Sequence, residues 1–163
     1  MKPLTEEHLA ILRRHMVELI EIHFELASDE IGERALGPAL RRALMQVPRH
    51  LFVPLQLAGA AYQDTPLPIG FDKTISQPFM SALMIDLLDL DAQDRVLEVG
   101  TGLGYQTAIL ARIVDHVWTV DIVEEFAGFA EPHLAEMGYR NVSVRVATGR
   151  AAGRMRRRSM RSW

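Results

Sequence analysis

Apolar positions recur at helical spacing from the start of the chain. Leu9, Leu12, Met16, Ile20 and Phe24 share one face of residues 5–26. Thr5 stands where an N-cap belongs, and Glu6 and Glu7 suit the positive end of a helix dipole. A second helix is predicted over 38–46, with Pro38 in its first turn and Leu40 and Leu44 facing inward. Between 47 and 78 the periodicity gives way to a stretch rich in proline and glycine, VPRHLFVPLQLAGAAYQDTPLPIGFDKTISQP. So long a connection inside a compact domain is usually functional or disordered, and its apolar content argues for an ordered one.

From Pro78 the pattern turns regular. A helix is predicted through Leu88, carrying Met80, Leu83, Met84 and Leu87. RVLEV (95–99) reads as a buried strand, 105–113 as a helix and HVWTVD (116–121) as a second strand. Residues 124–137 read as a helix interrupted by Gly128 and Pro132, and NVSVRV (141–146) as an alternating third strand. Strand, helix, strand, helix, strand predicts an α/β fold on a doubly wound parallel sheet. There is no internal repeat.

Composition narrows the class. At 163 residues, 48% hydrophobic and 24% charged, the chain has the makeup of one globular domain with a real core. No apolar run approaches the roughly 20 residues that span a bilayer, and no signal peptide is expected from the first residues. Without cysteine there is no disulfide framework and no thiolate metal site, so the cytoplasm is the expected location. The net charge of −3 conceals an asymmetry: six arginines fall in 150–161, and RAAGRMRRRSMRSW (150–163) carries no acid.

The chemistry is concentrated in LEVGTGLGYQ (97–106), where Gly100, Gly102 and Gly104 follow a strand and precede a helix. Such a turn aims backbone N–H groups at a ligand. A dinucleotide site wants G-x-G-x-x-G with an acid about 20 residues on. Here the spacing is G-x-G-x-G, and Tyr105 occupies the third-glycine position of the dinucleotide pattern. Glu98, two residues before the first glycine, would repel a pyrophosphate but suits an amino group or a cation. Asp121, closing the second strand, can accept hydrogen bonds from two ribose hydroxyls. Cation plus ribose without pyrophosphate points to S-adenosyl-L-methionine. The other reading of the glycines is a tight strand-to-helix turn with no ligand.

VPRHLFVP…YQDTPLPIGFDKTISQP followed by RVLEVGTGLGYQTAIL closely resembles the protein-L-isoaspartate O-methyltransferase family, over about residues 30–149. The resemblance implies a Rossmann-like S-adenosylmethionine-dependent methyltransferase fold. It also implies methylation of the free carboxylate of isoaspartyl residues in damaged peptides and proteins. Ser76 would be the active-site residue, with Thr74, Ile75 and Gln77 beside it against the cofactor. Glu98, Gly100, Gly102, Gly104 and Asp121 would bind the cofactor. An isoaspartyl carboxylate is ionised at neutral pH, so it can attack a sulfonium methyl without a general base. Catalysis then needs mainly alignment. Ser76 lacks a G-x-S-x-G elbow and an evident triad, so its expected role is orientation, not nucleophilic attack. Without the resemblance, Ser76 or Gln77 reads as the N-cap of the helix that Pro78 begins.

The remaining polar candidates are bland. His8, His15 and His23 are spaced too widely on one helix to be neighbouring metal ligands. His50 reads as a support for its loop, His116 and His133 have no evident partner, and Trp118 reads as core. The resemblance breaks where the family runs into a Gly-Asp-Gly turn, here Ala147, Thr148 and Gly149. These features predict a methyltransferase domain over 1–149 and a disordered Arg-rich tail over 150–163, of a composition that an out-of-frame reading or an early stop produces. About three of the family's seven strands are then expected, with RVLEV as an exposed edge prone to self-association and activity impaired. The alternatives are an inactive methyltransferase-like fragment and, less favoured, a nucleic-acid-binding module using the basic tail.

Overall fold

The computed structural model describes residues 4–32 and 35–147, and the chain divides into two compact units, Met1–Leu90 and Asp91–Trp163. In the first, α1 (Glu6–Leu26) begins as predicted: the Thr5 hydroxyl accepts the His8 amide at 3.3 Å, and the His8 ring turns back to the Thr5 amide. A short helix α2 (Ser28–Ile31) ends at Gly32 in the left-handed conformation. Helix α3 (Pro38–Gln46) follows with the predicted bounds. Met16, Val17, Ile20 and Phe24 of α1 and Leu40, Ala43 and Leu44 of α3 are all buried, and the two helices pack together.

The proline-rich stretch is ordered. It forms two 3-10 turns, Arg49–Phe52 and Leu55–Ala60, and then an antiparallel hairpin that periodicity does not reveal. Its strands are β1 (Leu67–Gly70) and β2 (Lys73–Ile75), with Leu67 opposite Ile75. The turn residues Phe71 and Asp72 have φ of 52° and 54°, the left-handed pair that a two-residue hairpin turn requires. Helix α4 (Pro78–Asp86) completes the unit. Its buried residues are Pro78, Ser81, Ala82 and Ile85, whereas Met80, Met84 and Leu87 are exposed. A helix apolar nearly all round has no preferred face by periodicity, and the small Ser81 and Ala82 occupy the buried one.

The second unit carries β3 (Arg95–Val99), α5 (Tyr105–Ala111), β4 (His116–Asp121), α6 (Glu124–Glu136) and β5 (Val142–Val146). The three strands form a parallel sheet in the order β3-β4-β5, with Arg95 opposite His116 and Val117 opposite Val142. Parallel strands need crossovers, and α5 and α6 supply them. This is a Rossmann-like arrangement. Helix α6 runs through Gly128 and Pro132 without interruption. Ile109, Leu110, Val117, Val120, Ala130 and Leu134 form the core of this unit. Trp118 is not core: it is half-buried, with its ring centroid 4.4 Å from that of His116 at a tilt of 49° and 6.0 Å below the Arg95 guanidinium. Thr148, Gly149 and the Arg-rich tail lie outside the described residues. Among the described residues no helix is long and apolar enough to cross a membrane.

Candidate active site

In the second unit the predicted ligand-binding residues converge at the carboxyl ends of β3 and β4, where open α/β sheets bind ligands. The chain leaves β3 through Gly100, whose amide donates to the Val120 carbonyl at 2.7 Å. Gly100, Gly102 and Gly104 all have positive φ, and Gly104 is the N-cap of α5. A Cβ on Gly104 would also stand 3.2 Å from Leu134 Cδ1, so this position needs glycine for packing as well as for conformation. Asp121 braces the turn: its Oδ2 accepts the Gly102 amide at 2.8 Å and its Oδ1 the Val123 amide at 2.9 Å. A carboxylate has about four acceptor sites, so each oxygen keeps room for a further donor.

Glu98 is buried near the end of β3, just before that turn. Its Oε2 accepts the hydroxyls of Thr107 at 2.5 Å and Thr119 at 2.6 Å, while its Oε1 has no partner among the described residues. Since the Thr119 hydroxyl gives its one proton to Glu98, its 2.7 Å contact with Thr101 has Thr101 as donor. A chain of hydroxyls therefore runs from Thr101 through Thr119 to Glu98. Burial pushes the Glu98 carboxyl up to about 7; the two threonine donors pull it down, and the nearby Asp121 charge adds to the rise. Sequence reasoning found the acids but missed these threonines, whose signal is a hydroxyl at strand and helix positions that ought to be apolar.

The first unit holds the TISQP segment. Thr74 is exposed on β2 and Ile75 is buried. Ser76 is half-buried, and its hydroxyl makes no hydrogen bond among the described residues. Gln77 is the N-cap residue of α4, but neither its side chain nor that of Ser76 makes the capping hydrogen bond. Asp64 does so from the preceding loop: its Oδ1 accepts the Phe79 amide at 2.9 Å and its Oδ2 the Gln77 side-chain amide at 2.8 Å. His23 Nδ1 also lies 3.0 Å from Asp64 Oδ2. The expectation holds for Gln77 as the N-cap position and fails for the side chain, since a carboxylate 15 residues before Phe79 accepts the helix amide and leaves the Ser76 hydroxyl out of that role. His50 packs as a loop support, with Nδ1 2.7 Å from the Tyr62 hydroxyl. His116 does have a partner, the Ser143 hydroxyl at 3.0 Å. Among the described residues no cluster of His, Asp and Glu could hold a metal ion.

A family model for protein-L-isoaspartate(D-aspartate) O-methyltransferase matches residues 23–155. The chain belongs to this family. It is 49% identical over 146 residues to protein-L-isoaspartate O-methyltransferase 1 of Polaromonas sp. (strain JS666), covering 90% of this chain and 62% of that relative. It is 46% identical over 137 residues to protein-L-isoaspartate O-methyltransferase 2 of Syntrophobacter fumaroxidans, covering 84% of this chain and 56% of that one. The chain thus spans less than two thirds of the length of these relatives. A solved protein-L-isoaspartate O-methyltransferase superposes with a TM-score of 0.69 at 24% identity, over 84% of this chain and 42% of that one. A Plasmodium falciparum protein described as a putative member, in complex with S-adenosyl-L-homocysteine, superposes at 0.59 and 23% identity, over 80% of this chain and 62% of that one. The structural matches place the fold among the isoaspartyl methyltransferases, and the sequence places the family.

Proposed function

We propose that this chain carries the methyl-donor site and the active-site serine of a protein-L-isoaspartate O-methyltransferase. The reading is that it transfers a methyl group from S-adenosyl-L-methionine to isoaspartyl carboxylates of damaged peptides and proteins in the cytoplasm. The observation that carries the reading is the buried acid pair at the ends of β3 and β4 beside the glycine turn, above all the Glu98 Oε1 that no group among the described residues satisfies. An orphaned carboxylate oxygen on the residue two before Gly100, where an added Cβ would meet nothing within 4 Å, fits the ammonium of an amino-acid-bearing cofactor. The remaining acceptor sites of Asp121 fit ribose hydroxyls.

In this reading Glu98 binds the ammonium, Asp121 orients the ribose, and the glycine turn admits the cofactor without a side chain in the way. Thr74, Ile75 and Gln77 flank the cofactor from the TISQP segment, with Ile75 giving apolar support. Bound S-adenosylmethionine supplies a sulfonium methyl group. The incoming carboxylate is already ionised and needs no base, so the work left to the protein is alignment. The Ser76 hydroxyl, unused by the fold, donates a hydrogen bond to one carboxylate oxygen and turns the other towards the methyl carbon.

Calorimetry tests the cofactor half of this reading. Parent chain should bind S-adenosylmethionine, and Asp121→Ala should weaken binding about 10-fold or more, since a hydrogen bond to a charged group contributes roughly 1.5–3 kcal/mol. Equal affinity in the variant would remove Asp121 from the site. Absence of binding in the folded parent would favour the inactive-fragment alternative.

A further inference from the structure

We infer that Arg49 is a positioning residue that fixes Ser76 for methyl transfer, an inference that rests on the reading of Ser76 above. Arg49 is fully buried, at 0% exposure, which is unusual for an arginine. Its Nε donates to the Ala61 carbonyl at 2.7 Å and its Nη2 to the Ser76 carbonyl at 2.7 Å. One planar guanidinium thus ties together three places in the loop, 12 and 27 residues apart in sequence.

The Ser76 carbonyl is the informative contact. It belongs to the peptide joining Ser76 to Gln77, so holding it fixes the backbone on the C-terminal side of the serine. On the N-terminal side, Ile75 is fixed by its pairing with Leu67. Beyond Gln77, Pro78 has its own φ locked and Asp64 holds the next amide, Phe79. Ser76 is the single residue between a strand end and a clamped peptide, and its hydroxyl is the part left free to turn. A lysine cannot replace this clamp, because one ammonium lacks the rigid fork that reaches two carbonyls at set angles. Mere stapling of a loop would be served by carbonyls anywhere in it. The arginine instead holds the carbonyl of a residue whose hydroxyl makes no hydrogen bond among the described residues.

Hydrogen exchange and kinetics on full-length Arg49→Lys and Arg49→Gln test the inference. Amides of 74–77 should exchange at least about 10-fold faster, while those of 95–99 and 117–121 stay as in the parent. Methyl transfer to an isoaspartyl peptide should lose about 10-fold to 100-fold in kcat, the scale set by a small misplacement. Parental exchange at 74–77, or a kcat that falls only with the folded fraction, overturns the clamp. If neither variant folds, NMR on the parent decides: scalar couplings across the hydrogen bonds from Arg49 to the Ala61 and Ser76 carbonyls support it, and their absence overturns it. Unchanged kcat in Ser76→Ala overturns the reading of Ser76 itself, which unchanged exchange in Arg49→Lys does not.

Discussion

Asp64 caps the helix that follows Ser76: its Oδ1 accepts the Phe79 amide at 2.9 Å while its Oδ2 accepts the Gln77 side chain at 2.8 Å. The serine beside that helix start is therefore spared a structural duty that its position would otherwise suggest.

A stability difference between two variants follows. Asp64→Ala removes a cap and a second charge-assisted bond and should cost about 2–3 kcal/mol. Ser76→Ala removes a hydroxyl that makes no hydrogen bond among the described residues and should change stability by less than about 0.5 kcal/mol. Urea denaturation of both variants against the parent measures this. A larger loss for Ser76→Ala than for Asp64→Ala would restore the serine as the cap.

Glu98 gives a pH signature. Its carboxyl is raised by burial from 4.5 to about 7 in the folded chain. Between those values the folded state holds a proton that the unfolded state has released, so stability falls as pH rises through this window and levels off above it. The size of the fall is roughly 3 kcal/mol. Glu98→Gln lacks the titration, so its stability relative to the parent should be near equal at pH 4.5 and should grow towards pH 8. Denaturant midpoints across that range decide it. A difference that does not vary with pH would mean that Glu98 is hydrated and ordinary.

The sheet predicts an association behaviour. Among the described residues β3 pairs with β4 and with no strand on its other side, and Val99 at its end is 63% exposed. Unpaired backbone on an apolar strand is a template for another copy. Light scattering should show the parent self-associating with concentration, and Val99→Lys should shift it towards monomer by placing charge on the edge. A parent that stays monomeric at every concentration would show that this edge is covered.

The sequence was most legible where one physical rule decides the outcome. Helix α1 followed from its stripe and from Thr5. The three parallel strands followed from apolar runs separated by helix-length spacing. Glu98, Asp121 and the glycines were legible because a turn between strand and helix fixes where its neighbours stand. The misses share a different cause. The cap from Asp64 and the burial of Arg49 depend on the path of an irregular loop, and an arginine is by default a surface residue. The hairpin was hidden because Phe71 and Asp72 are not the Asn-Gly pair that advertises such a turn. The buried face of α4 was hidden because that helix is apolar nearly all round.

Methyl transfer to a matched pair of peptides, one with an isoaspartyl and one with an aspartyl residue, tests the central claim most directly. With labelled S-adenosylmethionine, the parent chain should methylate the isoaspartyl peptide alone. Ser76→Ala should cut that rate at least about 10-fold, as expected when one orienting contact at the reacting group is lost, while remaining as stable as the parent. Undiminished methylation by Ser76→Ala, or a folded parent that binds the cofactor yet labels neither peptide, would contradict the account.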